Sequence, residues 1–133
     1  RVEDVKGGEQ IYVAGFPHGN MISESMRLVP GLVNSTLGFE NDITQFETDA
    51  VIKQGNSGGP VYDSKGNIVG IAVKRFKVTR SDNYNFAIKG STVKQFLDAH
   101  NILTASANRI SDMTSTNIYN MASKQTVMVV CHR

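Results

Sequence analysis

The sequence predicts an all-β protein: a six-stranded antiparallel barrel with a C-terminal helix and a short helix-and-strand tail. Six short segments rich in β-branched and aromatic residues follow one another, separated by Gly, Pro, Asn and Asp. After Gly90 the spacing of apolar residues changes from that of a strand to that of a helix. Successive short strands followed by a helix are typical of a closed barrel with a helix laid against it.

The predicted strands are Gln10–Phe16, Ser23–Asn34, Ile43–Thr48, Val61–Tyr62, Ile68–Arg75 and Tyr84–Ile88. Pro30 predicts an edge or a bulge in the second strand, because proline has no N–H for the ladder. Five residues that include Gly66 join the fourth and fifth strands and predict a hairpin. The polar residues Phe76–Asn83 predict a surface loop, and Arg1–Glu9 predict a linker or an incoming loop.

The first helix is predicted from residues spaced i, i+3, i+4 and i+7, which form an apolar stripe on a helix. These residues are Val93, Phe96, Leu97 and His100. Thr92 and Gln95 have the spacing of a capping box, and Ser91 is the alternative N-cap.

The last residues form an extension, so we divide the chain into a barrel unit, residues 1–104, and a tail, residues 105–133. Ser115–Lys124 predict a short helix with Ile118, Met121 and Ala122 on one side. Thr126–Cys131 are apolar without interruption and predict a buried or edge strand that completes a sheet. The alternative is a tail that docks on a partner chain or guards a cleft.

Charge and composition exclude several classes of function. The 133 residues carry a net charge of +2 without a block of like charge, which argues against nucleic acid or an anionic membrane surface as a partner. Lys74, Arg75, Lys77 and Arg80 form a local basic cluster that we interpret as a solvated loop. No apolar run is long enough to span a bilayer. The single cysteine, Cys131, excludes an intrachain disulfide and leaves the redox compartment open.

The segment Gly55-Asn56-Ser57-Gly58-Gly59-Pro60 carries the strongest functional signal. A serine nucleophile must project into a cleft, and backbone N–H groups beside it must face a developing oxyanion. Glycines allow the tight turn that this requires, because they lack a Cβ. By itself such a stretch is also typical of a flexible loop or hairpin turn.

The surrounding residues resemble the C-terminal barrel of trypsin-like serine proteases, most closely the HtrA/Deg branch. Thr48–Val61 resemble the nucleophile segment, and Tyr62–Ile71 the hairpin after it. Gln10–Gly19 resemble the strand and turn that open the second barrel, Asn85–Ile88 its last strand, and Val93–Leu97 its C-terminal helix. The resemblance extends from about Val5 to Ile102.

This resemblance implies an acyl-enzyme endopeptidase in which Ser57 is the nucleophile. The turn Gly55-Asn56-Ser57 would form the oxyanion hole through the N–H groups of Gly55 and Ser57. Asn56 stands where digestive relatives have an aspartate that pairs with a freed N-terminus, which argues against zymogen-type activation. The family implies no cofactor and no metal, and the three histidines and one cysteine lack metal-ligand spacing.

The resemblance also implies a substrate site in which the residues before the nucleophile and the strands around Val73 and Ala87 line the primary specificity pocket. Its residues would be Val51, Ile52, Gln54, Val73, Lys74, Arg75 and Ala87. Val51 matches the base of the pocket and is apolar, so we expect cleavage after small or medium aliphatic residues. The edge formed by Val73–Arg75 would pair with extended substrate backbone.

The general base is the missing part of the predicted active site. The family places its His and Asp in a preceding barrel, and we expect structural or solvated roles for His18, His100 and His132. Asp49 is expected to hold loop backbone. We therefore expect this chain alone to have little or no peptidase activity.

The missing general base also leads to several expectations about partners. They are a polypeptide substrate, an N-terminal protease barrel or another subunit, and self-association through the apolar surface near Ser57 and Val51. The resemblance favours a periplasmic or secreted location. The alternative function is a pseudoprotease or a binding barrel without catalysis.

Overall fold

The protein is described by a computed structural model that covers residues 1–17, 25–77, 83–106 and 108–131. Within these ranges, six strands form a closed antiparallel barrel in the order β1-β2-β3-β6-β5-β4. The strands are β1 Gln10–Gly15, β2 Arg27–Ser35, β3 Gln45–Thr48, β4 Pro60–Asp63, β5 Ile68–Lys77 and β6 Asn83–Lys89. The helices are α1 Gly90–Ala99 and α2 Ser115–Gln125, and a 3₁₀ turn spans Phe39–Asn41. The predicted all-β barrel with a C-terminal helix is confirmed.

The barrel interior is filled by alternate residues of the strands. On β1, Ile11 and Val13 are fully buried, and Val13 lies opposite Val29 of β2 and Val61 of β4. Successive side chains of a strand point to opposite faces, so these positions all face inward. Phe46 of β3 completes the same core cluster.

The opposite face of β1 and β4 is buried as well, because α2 packs on it. Ala14 and Tyr62 form a second buried cluster with Ile118 and Ala122 of the helix. Ile118 and Ala122 are fully buried, which confirms the predicted apolar side of this helix. This second cluster explains why β1 and β4 are apolar at consecutive positions, since a strand that is buried on both faces need not alternate.

Strand pairing extends beyond the limits that residue type predicts. Phe76 lies opposite Tyr84, and Lys77 lies opposite Asn83, so both ends of the predicted loop Phe76–Asn83 belong to β5 and β6. The loop prediction is therefore wrong at its ends, because cross-strand pairing overrides a weak local preference. The backbone of the basic cluster also follows β5 from Lys74 to Lys77.

Pro30 does not mark a bulge. It lies opposite Tyr12 in the ladder with β1, and the irregularity of β2 falls between Val33 and Ser35. The recorded pairs with β3 are at Val33 and Ser35, so Pro30 lies in a part of β2 that pairs on one side. This is a local edge, where a missing N–H costs little.

The predicted caps of α1 are wrong. The N-cap is Lys89, without a side-chain hydrogen bond, and the Ser91 hydroxyl donates to Asp4 instead. The N–H of Lys89 donates to Thr44 on the neighbouring β3 side. Because β6 continues directly into the helix, the sheet determines where the helix begins.

Asp63 at the end of β4 organises the incoming chain and the β4–β5 hairpin. It accepts hydrogen bonds from the N–H groups of Lys65 and Asn67, and from the Arg1 guanidinium at 3.0 Å. Burial raises the pKa of the Asp63 carboxyl, but the hydrogen bonds from Asn67, Lys65 and Arg1 together hold it below its usual value. The same guanidinium forms an ion pair with Glu9, with Nη2 of Arg1 2.9 Å from Oε2 of Glu9.

The predicted tail strand is wrong. Thr126–Cys131 are neither buried as a whole nor paired in a sheet, and most of their side chains are exposed. An apolar run forms a strand only where a neighbouring backbone offers its N–H and C=O groups, and none in the described ranges does so here. In the described part of the chain, neither helix is long and apolar enough to cross a membrane.

Candidate active site at the nucleophile turn

A tight turn precedes Ser57 and is closed by the N–H of Asn56, which donates to the Lys53 carbonyl at 2.9 Å. Gly55, the third residue of this turn, has φ of +97°. A turn with positive φ at this position requires glycine, since a Cβ would be strained there. A side chain at Gly55 would also strike the Phe16 carbonyl. The backbone conformation and the nearby Phe16 carbonyl therefore require glycine at position 55.

The loop that carries Ser57 is held on both sides by backbone hydrogen bonds. The N–H of Gly58 donates to the Ala72 carbonyl at 2.7 Å, and the N–H of Ala72 donates to the Gly59 carbonyl at 2.9 Å. On the β1 side, the N–H of Phe16 donates to the Gly55 carbonyl at 3.1 Å. Ser57 itself is exposed, and its hydroxyl bonds to none of the described residues. The result is an accessible hydroxyl on a rigid support.

Two backbone donors beside this hydroxyl have no acceptor among the described residues. The N–H groups of Gly55 and Ser57 meet no acceptor within the described residues, whereas the N–H of Asn56 is occupied by Lys53. Both free donors belong to exposed residues. Unoccupied N–H groups next to a nucleophile can stabilise a developing oxyanion, at about 3 kcal/mol for each donor.

The Asn56 side chain lies beneath the loop and is almost fully buried. Its Oδ1 and Nδ2 have no hydrogen-bond partner among the described residues. A Cβ built on Gly15 would lie 2.7 Å from the Cα of Asn56, so the end of β1 must be glycine for this asparagine to fit. Within the described residues this amide is unpaired, and an unpaired buried amide costs about 1–3 kcal/mol.

A cavity of about 710 Å³ opens beside Ser57. One wall is formed by the nucleophile loop and the end of β1, including Gly55, Ser57 and Phe16. The other wall is the tail segment that follows α2, from Gln125 to Cys131. None of the predicted site residues lies in the tail, although a tail that guards a cleft was the alternative interpretation of the apolar run Thr126–Cys131.

The residues predicted to bind substrate do not all lie together in the structure. Gln54 lines the cavity with Ser57, whereas Val51, Ile52, Val73 and Ala87 do not. Val51 is exposed, and Val73 is half-buried on β5. Lys74 and Arg75 are backbone positions of β5 that pair with β6.

Two of these residues lie in the barrel core. Ile52 and Ala87 are buried in the interior cluster, and the N–H of Ile52 donates to Oδ1 of Asn85 at 3.0 Å. This hydrogen bond fixes the segment that leads to the nucleophile turn. The side chains of Ile52 and Ala87 therefore shape the backbone of the site from inside.

The described residues bring no histidine to Ser57. His100 ends α1, where its Nδ1 lies 2.8 Å from the Phe96 carbonyl and its ring lies against the Phe96 ring. His18 and His132 lie outside the described residues. Oδ1 of Asp49 accepts the N–H of Leu32 at 2.7 Å, so this carboxylate holds the backbone of strand β2 and not, as predicted, that of a loop. In the described ranges, no three His, Cys, Asp or Glu side chains are grouped to hold a metal ion.

Comparison with known proteins gives a family match over residues 1–71, to the family described as "Trypsin-like peptidase domain". Serine protease HTRA4 of Mus musculus is 35% identical over 105 residues, which cover 74% of this chain and 20% of that protein. The serine endoprotease of Yersinia pestis, a solved structure, is 25% identical with a TM-score of 0.59 and is matched over 73% of this chain and 32% of its own.

A third relative covers more of the chain. The uncharacterized protein y4bJ of Sinorhizobium fredii is 26% identical over 132 residues, which cover 93% of this chain and 21% of that protein. An alignment over 93% of this chain must include part of the tail, residues 105–133. The chain spans about a fifth of the length of the curated relatives that it matches.

Proposed function

This chain belongs to the trypsin-like peptidase family, in its HtrA branch, and we propose that it contributes the nucleophile and the oxyanion hole of a serine endopeptidase. The observation that carries the proposal is the exposed Ser57 on a rigid loop, flanked by the free N–H groups of Gly55 and Ser57. Residues 1–104 would form the catalytic barrel, and residues 105–133 an extension packed on it.

In the proposed reaction, Ser57 Oγ attacks the scissile carbonyl carbon and forms an ester bond to it. The oxyanion of the tetrahedral intermediate accepts hydrogen bonds from Gly55 and Ser57. The C–N bond then breaks, and the amine leaves with the proton that a general base has taken from the serine hydroxyl. Water subsequently hydrolyses the ester and regenerates Ser57.

The described residues place no histidine at Ser57, so the general base must come from outside them. Without it, the Ser57 hydroxyl stays protonated and is a weak nucleophile. We therefore propose that this chain alone hydrolyses peptides very slowly, and that an N-terminal barrel or another subunit supplies the histidine and its aspartate.

The proposed primary specificity is for small or medium aliphatic residues. Val51 is apolar and exposed at the position that would form the base of the pocket, and it offers no carboxylate to a lysine or arginine side chain. The complete enzyme should therefore turn over a substrate with valine before the scissile bond faster than one with arginine. The reverse order would overturn this assignment.

The proposed function is tested by site-resolved phosphonylation of the isolated chain. A fluorophosphonate at high concentration should modify Ser57 in preference to Ser64, because the proposed oxyanion hole serves Ser57, whereas the Ser64 hydroxyl donates to Oδ1 of Asp112 at 3.2 Å. Mass spectrometry locates and quantifies both products. Equal modification of the two serines would contradict the proposal and favour a binding barrel without catalysis.

A further inference from the structure

The tail segment Thr126–Cys131 is held beside the nucleophile without being part of a sheet. Its last recorded backbone hydrogen bond is that of Thr126, whose N–H donates to Ala122 in α2. From Val127 to Cys131, no N–H or C=O group has a partner within the described residues. With respect to the described residues, the segment therefore presents an unpaired backbone edge to the cavity.

The side chains of this segment alternate in exposure. Val127 and Val129 are 78% and 88% exposed, whereas Met128 and Val130 are 37% and 48% exposed. A period of two is that of extended backbone. Met128 and Val130 are therefore the less exposed positions of the segment, although Val127 and Val129 also line the cavity.

The position of the segment is set by the packing of α2. Ile118 and Ala122 are fully buried against the barrel, and the hydroxyl of Tyr62 on β4 donates to Oε1 of Gln125 at 2.8 Å. Gln125 is the last residue of the helix, so this bond anchors the point from which the tail segment leaves. The second wall of the cavity is consequently held at a defined distance from the first.

The cavity between these walls, which we call the tail groove, has the size and chemistry of a peptide site. Its volume of about 710 Å³ lies within the usual range of ligand pockets. The described residues that line it include no Asp, Glu, Lys or Arg. A charged side chain placed there would lose water without gaining a partner, whereas an apolar one would gain burial.

The tail groove lies on a particular side of Ser57. It is lined by Gly15 and Phe16 at the end of β1, and not by Val51, Val73 or Ala87, which would form the primary pocket. In the barrel order, β1 and β5 flank β4 on opposite sides. The groove therefore lies across the nucleophile from the β5 edge, toward the part of a substrate that follows the scissile bond.

We propose that the tail groove binds the leaving-group side of a polypeptide substrate as an extended, apolar and uncharged segment. This inference rests on the proposed function and adds a substrate class to it. The free backbone of Val127–Cys131 pairs with the peptide as an added strand. Met128 and Val130 contact its side chains, together with Phe16.

The test measures peptide binding, which does not depend on catalysis by Ser57. The chain with Ser57→Ala is titrated against a fluorescent, end-blocked hexapeptide of valine, leucine and alanine, and against matched peptides with aspartate or lysine at two central positions. We expect the apolar peptide to bind at least about tenfold more tightly than either charged peptide. Equal affinity for the three peptides would overturn the inference.

Substitutions by aspartate supply matched controls. Met128→Asp and Val130→Asp place a carboxylate in the tail groove and should weaken binding of the apolar peptide about tenfold or more. Leu103→Asp and Ile110→Asp carry the same change at side chains that are 98% and 84% exposed and lie outside the tail groove, and they should stay within about twofold of the parent. An equal loss in all four variants, or no loss in any, would contradict the proposal. Thermal unfolding of each variant reports whether the fold is kept.

Truncation after Gln125 separates binding from blocking. If the tail is a wall of the site, its removal abolishes peptide binding, and if it merely covers Ser57, removal strengthens binding and overturns the inference. The outcome is independent of the proposed function. Selective phosphonylation of Ser57 with unaltered binding in Met128→Asp would contradict the groove alone, whereas tight groove binding with no selective phosphonylation would contradict the catalytic proposal alone.

Discussion

The side-chain amide of Asn67 pairs with the main chain of Arg109 in both directions. The N–H of Arg109 donates to Oδ1 of Asn67 at 2.8 Å, and Nδ2 of Asn67 donates to the Arg109 carbonyl at 2.9 Å. Asn67 is buried in the β4–β5 hairpin, so this one side chain joins the barrel to the chain that leads into α2. The same helix carries the wall of the tail groove.

Asn67→Ala should loosen this attachment. The substitution leaves the N–H and C=O groups of Arg109 without these partners and removes the hydrogen bond from Nδ2 to Oδ2 of Asp63, which should cost about 1–3 kcal/mol. Amide hydrogen exchange in α2 should accelerate more than exchange in β1 and β2. The control is Asn120→Ala, an exposed change on α2 itself. Equal acceleration in every element would argue for a global effect and against a local clamp.

Gly55→Ala and Gly58→Ala test whether the nucleophile turn is sterically determined. Both glycines have positive φ, at +97° and +84°, so alanine is strained at each by about 1–2 kcal/mol. At Gly58 a Cβ would meet nothing within 4 Å, whereas at Gly55 it would collide with the backbone of Phe16 and Pro17.

We therefore expect Gly58→Ala to lower the free energy of unfolding in urea by only that strain, and Gly55→Ala to lower it substantially more. Gly55→Ala should also abolish the preference for phosphonylation at Ser57, because the turn that directs the Gly55 N–H is lost. Similar urea midpoints for the two variants would show that the turn can shift to accept a side chain.

Ile118→Ala measures how strongly α2 holds to the barrel. Ile118 is fully buried between α2 and the strands, so the change should cost about 2–5 kcal/mol of unfolding free energy. Ile110→Ala is the same substitution at a residue that is 84% exposed, and it should change stability by no more than about 0.5 kcal/mol. Chemical denaturation of both variants gives the comparison, and equal costs would mean that α2 does not pack as described.

Acid should weaken the ion pair between Arg1 and Asp63. The pKa of Asp63 is lowered from 3.8 in the folded state, so its contribution to stability is fully present above 3.8 and is lost as the pH falls through the folded pKa. Asp63→Asn should therefore destabilise the protein at neutral pH, and the difference from the parent should shrink below about pH 4.

The control for this change is Asp98→Asn, which breaks an exposed pair with Lys94 at 2.9 Å. An exposed pair at this spacing is worth about 0.3–0.5 kcal/mol, so the variant should behave almost as the parent at every pH. Urea midpoints between pH 2.5 and 7 test both variants. A constant difference between Asp63→Asn and the parent over that range would refute the assigned pKa direction.

The structure could be predicted from the sequence at positions where the residue type has a single physical role. Gly55 must be glycine for its turn, and Ile118 with Ala122 marks the buried side of α2. The caps of α1 and the ends of β5 and β6 could not be obtained in this way. Their limits depend on pairing partners far away in the chain, such as Thr44 for Lys89 and Tyr84 for Phe76.

By itself, the sequence determined the barrel, its family resemblance and the turn that carries Ser57, because backbone conformation and strand alternation are local properties of the residues involved. Only the tertiary structure decided that Thr126–Cys131 remain unpaired and form a wall beside Ser57. An apolar sequence by itself does not specify the surface against which it will pack. That choice follows from where Ile118 and Tyr62 pack α2 on the barrel, and therefore from contacts between residues more than fifty positions apart.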